Sequence, residues 1–170
     1  PMAVKAEVIA RNLQVSKGSF YWHFENMAAF QDAMLEHWVS QGTEIIMADI
    51  SAPERTPEQQ LRLLIKTITA DLHTPYGGML AESAIRNWAR FDTKVSEVVS
   101  RVDQAQLKFL ASLFRRVGAT RSISRLYANW VYGALIGLEY LSHAKLAKLE
   151  TDLLALVELL IDSLGDGEHH

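Results

Sequence analysis

Lys17, Ser19, Tyr21 and His23 place an ammonium, two hydroxyls and an imidazole within one short stretch. That combination suits holding phosphate oxygens better than turning over a substrate. Gly18 lies among them; inside a helix it costs roughly 1 kcal/mol relative to Ala, yet in a first turn it lets a phosphate or base edge approach the backbone N–H groups. Trp22 joins the same polar group without an apolar face to explain it.

The positioning elements are legible around these residues. Val4, Val8, Ile9, Leu13 and Val15 put a core side on a helix from about Val4 to Asn12. Ser16 then stands where a hydroxyl caps a second helix, from about Lys17 to Phe24. Phe20 and Phe24, four residues apart, share a face that packs back against Ile9 and Leu13, which leaves Lys17, Ser19, Tyr21, Trp22 and His23 for a partner. The plainer alternative is an aromatic core segment with Lys17 and His23 merely solvated.

From Ile9 to Phe30 the chain resembles the DNA-binding end of the TetR family of one-component transcriptional regulators. That family's helix-turn-helix ends in Tyr-x-His-Phe, matched by Tyr21, His23 and Phe24. The resemblance implies backbone-phosphate contacts for Tyr21 and His23, and groove contacts for Lys17, Gly18, Ser19 and Trp22. Two positions depart from the family. Gln14 stands where a turn glycine is usual, so an unusual backbone angle there would be strained. Met27 and Ala28 stand where a lysine and an acidic residue are expected, which removes one phosphate anchor. The resemblance also implies a further helix before Pro1.

The chain has 170 residues and a net charge of −3, a sum that hides an asymmetry. Residues 1–24 carry Lys5, Arg11 and Lys17 against Glu7, a balance of +2, which leaves −5 for the rest. A basic head and an acidic body would orient the protein on a polyanion. The absence of cysteine excludes a disulfide scaffold and thiol-ligated metal, and agrees with a cytoplasmic protein. No apolar run is long enough to span a bilayer, and no secretory leader is visible. Residues 166–170 are set aside as a tail, because Glu168-His169-His170 resembles the start of an affinity tag.

The fold class expected is all-α: a helix-turn-helix head over residues 1–42, incomplete at its N-terminus, joined by a long helix to a helical body over residues 43–165. The connector runs from Asn26 to about Ile50, and its length would let it transmit movement. Thr56-Pro57-Glu58-Gln59 starts a helix with a capping box that continues to about His73, burying Leu61, Leu64, Ile65, Ile68 and Leu72. A shorter helix covers Met79 to Ala89, and Asp92 caps one that ends near Gly118. Helices over about Ser122 to His143 and Leu146 to Leu164 complete the body, with no strand-like alternation and no repeat.

The resemblance implies a pocket in the body for a small-molecule effector, and Ala84 to Asp92 also resembles a stretch of that family. Candidate lining groups are His73, Tyr76, Met79, Trp88, Phe91, Phe109, Tyr127 and Trp130, with Asn87 and Asn129 as polar contacts. Their character points to an apolar or aromatic ligand, although such residues at helical spacing also serve as ordinary core. The last two helices are apolar on more than one side, so they either bury wholly within a monomer or form a four-helix bundle with a second copy. For the homodimer, Gly133, Gly137, Leu153, Leu156 and Leu160 are the candidate interface, and its operator would be palindromic double-stranded DNA. No cofactor, metal site or catalytic residue is expected, since no His-Glu-x-x-His, nucleophile elbow or phosphate loop occurs. An all-α enzyme and a ligand-binding or dimerisation module without DNA binding are the competing classes.

Overall fold

The computed structural model describes Arg11, Gln14 and residues 16–70, 77–145 and 147–165. Among them every regular element is helical: α1 (Lys17–His23), α2 (Met27–Val39), a π-helical turn (Ser40–Glu44), α3 (Ile45–Ile50), α4 (Pro57–Thr69), α5 (Gly78–Ala89), α6 (Thr93–Val117), α7 (Arg121–His143) and α8 (Leu149–Gly165). The helix proposed for Val4 to Asn12 lies outside the described residues, apart from Arg11.

Short polar side chains fix where the helices begin. The Ser19 backbone N–H donates to Ser16 Oγ at 3.0 Å, Ala29 to Asn26 Oδ1 at 2.9 Å, Val95 to Asp92 Oδ1 at 3.2 Å and Ile123 to Thr120 Oγ1 at 3.3 Å. At α4 the capping box is complete: Gln59 N–H donates to Thr56 Oγ1, Thr56 N–H donates to Gln59 Oε1, and Pro57 fills the first turn. Each such cap satisfies an N–H that has no partner inside its helix, worth about 1 kcal/mol. The α6 helix stops at Gly118, whose φ of 122° is open to glycine and strained for other residues.

Three boundaries differ from those expected. The connector is not one regular helix, since the π turn interrupts it at Ser40–Glu44. The α4 helix ends at Thr69 rather than at His73, with Ala70 extended beyond it, and Leu72 lies outside the described residues. The last helix starts at Leu149, after a left-handed Lys145 that periodicity does not register.

The main core joins α3, α4, α6, α7 and α8 through Ile50, Leu61, Ile65, Leu113, Phe114, Val131, Leu153 and Val157. Within α4, Leu61, Leu64 and Ile65 are buried and Ile68 half-buried, as their spacing requires. Gln60 is also fully buried here, with its amide donating to the Ala52 carbonyl and accepting from Arg116 Nη1 at 2.7 Å. Outside this core, Arg62 and Glu158 make a two-pronged ion pair between α4 and α8, both hydrogen bonds 2.6 Å long.

A second cluster, Leu35, Trp38, Ile85, Val95, Val99 and Val102, fastens α2 to α5 and the start of α6. An ion pair from Lys94 Nζ to Asp32 Oδ1, at 2.5 Å, adds to that attachment. The segment leading to α1 is therefore anchored just before the π turn.

Candidate functional site

The α1 helix is too short to be stable by itself, so its packing explains both its persistence and its exposed face. Phe20 is buried, and its ring lies 5.5 Å from those of Phe24 and Phe30, which are themselves 5.1 Å apart. The predicted partners Ile9 and Leu13 lie outside the described residues; Phe30, on α2, supplies the packing seen here. The opposite side carries Lys17, Gly18, Tyr21, Trp22 and His23, all exposed, with Ser19 half-buried at its edge. Trp22 is 82% exposed and stands edge-on to His23 with 4.6 Å between ring centroids, while Lys17 Nζ lies 6.0 Å from the Tyr21 ring centre. A donor-rich, aromatic face without apolar cover is thus held out on a capped helix.

The turn before α1 contains the strained residue that the sequence implies. Gln14 has φ of 55° and donates its N–H to the Arg11 carbonyl at 3.1 Å. A left-handed backbone costs a non-glycine residue about 1–2 kcal/mol. Gly18, by contrast, is not forced by the protomer, because a Cβ there would meet only Ser16 Oγ, at 3.7 Å.

The body forms a largely apolar cavity between the π turn, α3, α4, α5, α6 and α7. Its volume is about 70 Å³, room for about two waters at roughly 30 Å³ each. Ile46, Leu64, Ile68, Phe109, Leu110 and Leu135 give it apolar walls, and Gly42 and Thr43 of the π turn form one side.

Charged groups interrupt these walls. Arg86 Nε donates to Glu82 Oε1 at 2.7 Å, and its Nη2 donates to Asp103 Oδ1 and to the Tyr132 hydroxyl, both at 2.7 Å. Tyr132 in turn donates to Asp103 Oδ1 at 2.7 Å. Burial raises the Glu82 carboxyl above its ordinary value, and the Arg86 charge and hydrogen bond only partly offset this. The ring N–H of buried Trp38 favours the Glu82 anion weakly, without reaching hydrogen-bond geometry. For Arg86 itself burial opposes the charge, but hydrogen bonding to Asp103 and the Glu82 field outweigh it, so the guanidinium stays protonated. Burial also pushes the Tyr132 phenol up, keeping it a neutral donor. A third carboxylate, Glu139, is only 8% exposed, lines the cavity and accepts a hydrogen bond from the Ser83 hydroxyl.

Of the ten residues named for an effector, the structure brings Met79 and Phe109 to this cavity. His73 and Tyr76 lie outside the described residues. Trp88 packs instead against the cluster that holds α2, Asn87 is exposed, and Phe91 is 67% exposed past the end of α5. Tyr127 stacks on Trp130 and hydrogen-bonds Ser163 of α8 at 2.8 Å, and neither ring lines the cavity. Asn129 lines a separate groove rimmed by Lys108, Arg115, Arg116, Arg121 and Arg125. Sequence reasoning favoured aromatic residues and missed Glu82, Arg86 and Glu139. The available signal was Glu139 amid the apolar run of α7, and Glu82 four residues before Arg86 on α5.

The five residues named for a dimer also divide. Gly133 and Gly137 are exposed, and a Cβ on either would meet nothing within 4 Å. They share α7 with the exposed apolar side chains Leu126, Trp130 and Tyr140. Leu153 and Leu160 must be withdrawn from the surface set, because α8 turns them into the protomer core, and Leu156 is half-buried beside them.

No described helix is long and apolar enough to cross a membrane. No family model, curated protein or solved structure matches the chain.

Proposed function

We propose that this protein is a TetR-like one-component transcriptional regulator: a homodimer that binds a palindromic operator through α1 and is released by a small effector in the body cavity. The observation that carries this reading is the face of α1. Its Tyr-x-His-Phe ending divides so that Phe24 packs inward while Tyr21 and His23 stand exposed beside Lys17 and Trp22. Tyr21 and His23 would hold phosphates, and Lys17, Gly18, Ser19 and Trp22 would face the groove. Two such helices on a two-fold axis would read half-sites about 34–36 Å apart. The exposed Gly133, Gly137 and Trp130 face of α7 supports pairing of two copies. Repression is the direction the family resemblance favours, and the cytoplasm is the compartment in which such a regulator would work.

The body cavity supports a second reading, a ligand-binding module whose head does not bind DNA. The test is binding of a full-length chain to the DNA flanking its own gene across a salt series, with a Tyr21→Phe and His23→Ala double variant as control. A regulator contacting 6 to 10 phosphates should lose about 10³- to 10⁵-fold in affinity between 50 and 200 mM salt, and the double variant should bind far more weakly. Affinity no better than that of the control would overturn the regulator and leave the ligand-binding module.

A further inference from the structure

Among the described residues, the charge around the body cavity is not balanced. Arg86 is the one basic side chain among the described cavity-lining residues, and Glu82, Asp103 and Tyr132 take up its guanidinium. Glu139 lines the same space from α7, where its described partner is the neutral Ser83 hydroxyl. A hydroxyl satisfies one carboxylate oxygen but cannot cancel the charge, and an uncompensated buried charge is costly. Apolar walls contributed by Ile68, Phe109 and Leu135 lie in the same cavity.

We infer that the cavity takes a small organic monocation, its ammonium group paired with Glu139 and its hydrocarbon part packed against Ile68, Phe109 and Leu135. This deepens the effector role proposed above and rests on that reading of the cavity. The ligand supplies the missing positive charge, while the apolar walls exclude a fully hydrated metal ion. Asp103 pairs with Arg86, and Glu139 has no described cation beside it. In about 70 Å³, less than half the roughly 150 Å³ that holds one benzene ring, the fit is to a short aliphatic amine.

The test uses three probes of equal heavy-atom number, propylammonium, 1-propanol and acetate, titrated calorimetrically into the full chain without DNA. Propylammonium should bind about tenfold or more tighter than 1-propanol, the span expected when a full charge is added to the hydrogen bond, and acetate should bind weakest. Glu139→Gln keeps the side-chain shape and its contact with Ser83. It should abolish the preference for the amine, while continued binding of 1-propanol reports that the cavity is intact. Equal or tighter binding of 1-propanol or acetate to the unaltered chain would overturn the inference, as would an amine preference that survives Glu139→Gln. Failure of DNA binding would not produce either result, so loss of the regulator reading and loss of this assignment are distinguishable.

Discussion

Replacing Gly18 with Ala should make the isolated protein more stable and the DNA complex weaker, a pair of effects that a purely structural glycine would not give. Gly18 is exposed in the first turn of α1, and its φ is not in the left-handed region. A Cβ there meets Ser16 Oγ at 3.7 Å, which is ordinary contact. The methyl group therefore costs the protomer nothing sterically and removes backbone freedom from the unfolded chain, worth up to about 1 kcal/mol in a helix. For a chain of this size that is an increase of roughly 2–4 °C in Tm, with slower amide exchange in α1 if the head opens by itself. Against DNA the same methyl would separate the α1 N-terminus from a phosphate. Loss of one hydrogen bond to a charged group, about 1.5–3 kcal/mol, lowers affinity roughly 10- to 150-fold. Ser16→Ala gives the contrast: removal of its cap on Ser19 should cost about 1 kcal/mol of stability and weaken DNA binding in the same direction. Thermal unfolding and fluorescence anisotropy at fixed salt measure both quantities. Undiminished DNA affinity in Gly18→Ala would refute the placement of the first turn of α1 against the duplex.

On α7, Trp130→Glu should convert a dimer to a monomer in sedimentation without lowering protomer stability by more than about 0.5 kcal/mol, because the ring is half exposed and lies outside the core. An unchanged oligomeric state would remove this face from the dimer. Glu82 has a defined pH signature: because its folded-state pKa is raised, the folded protein holds that proton more tightly than the unfolded chain. Its stabilising contribution is present below the ordinary carboxylate value of about 4.3 and is lost as pH rises through the folded-state pKa. Urea unfolding across pH should therefore show the stability of Glu82→Gln, relative to the unaltered chain, rising through that window; a flat difference would contradict the assignment. Arg62→Ala should cost no more than about 1 kcal/mol, because its bridge to Glu158, though bidentate, is 40% exposed on both sides. A larger loss in urea unfolding would give α4 and α8 a dependence on that bridge that exposure argues against.

Helix starts were legible where a side chain announces them locally. Ser16, Thr56 and Asp92 each cap the helix expected of them, and the short range of that hydrogen bond is the reason. The buried stripe of α4 was legible for a related reason, since Leu61, Leu64 and Ile65 carry the 3.6-residue period in themselves. The cavity was not. Its lining comes from residues separated by most of the chain, Gly42 through Glu139, and apolar character alone does not distinguish Phe109, which lines it, from Tyr127, which does not. Leu153 and Leu160 misled for the same reason: a helix apolar on more than one side does not say which side meets its own protomer. The strain at Gln14 was legible through the family resemblance, which puts a glycine at that turn position.

The π turn ties these parts together. Ile45 donates its backbone N–H to the Ser40 carbonyl, the wide pairing of a π turn, within what would otherwise be one helix from Met27 to Ile50. Gly42 and Thr43 of that turn are also cavity wall, and Gln106 Nε2 on α6 donates to Thr43 Oγ1 at 3.5 Å. Immediately before it, Leu35 and Trp38 clamp α2 to α5 and α6; immediately after it, Ile46 and Met47 return to the cavity. A ligand filling the cavity would thus press on the irregular stretch of the connector. It could alter DNA affinity only by as much as it prefers one arrangement of that stretch over the other. For a coupling of about 1–3 kcal/mol, or roughly 5- to 150-fold, DNA must change ligand affinity by the same factor. In a regulator built this way a change at the turn would reach the head by shifting the packing of Leu35 and Trp38 on α5 and α6.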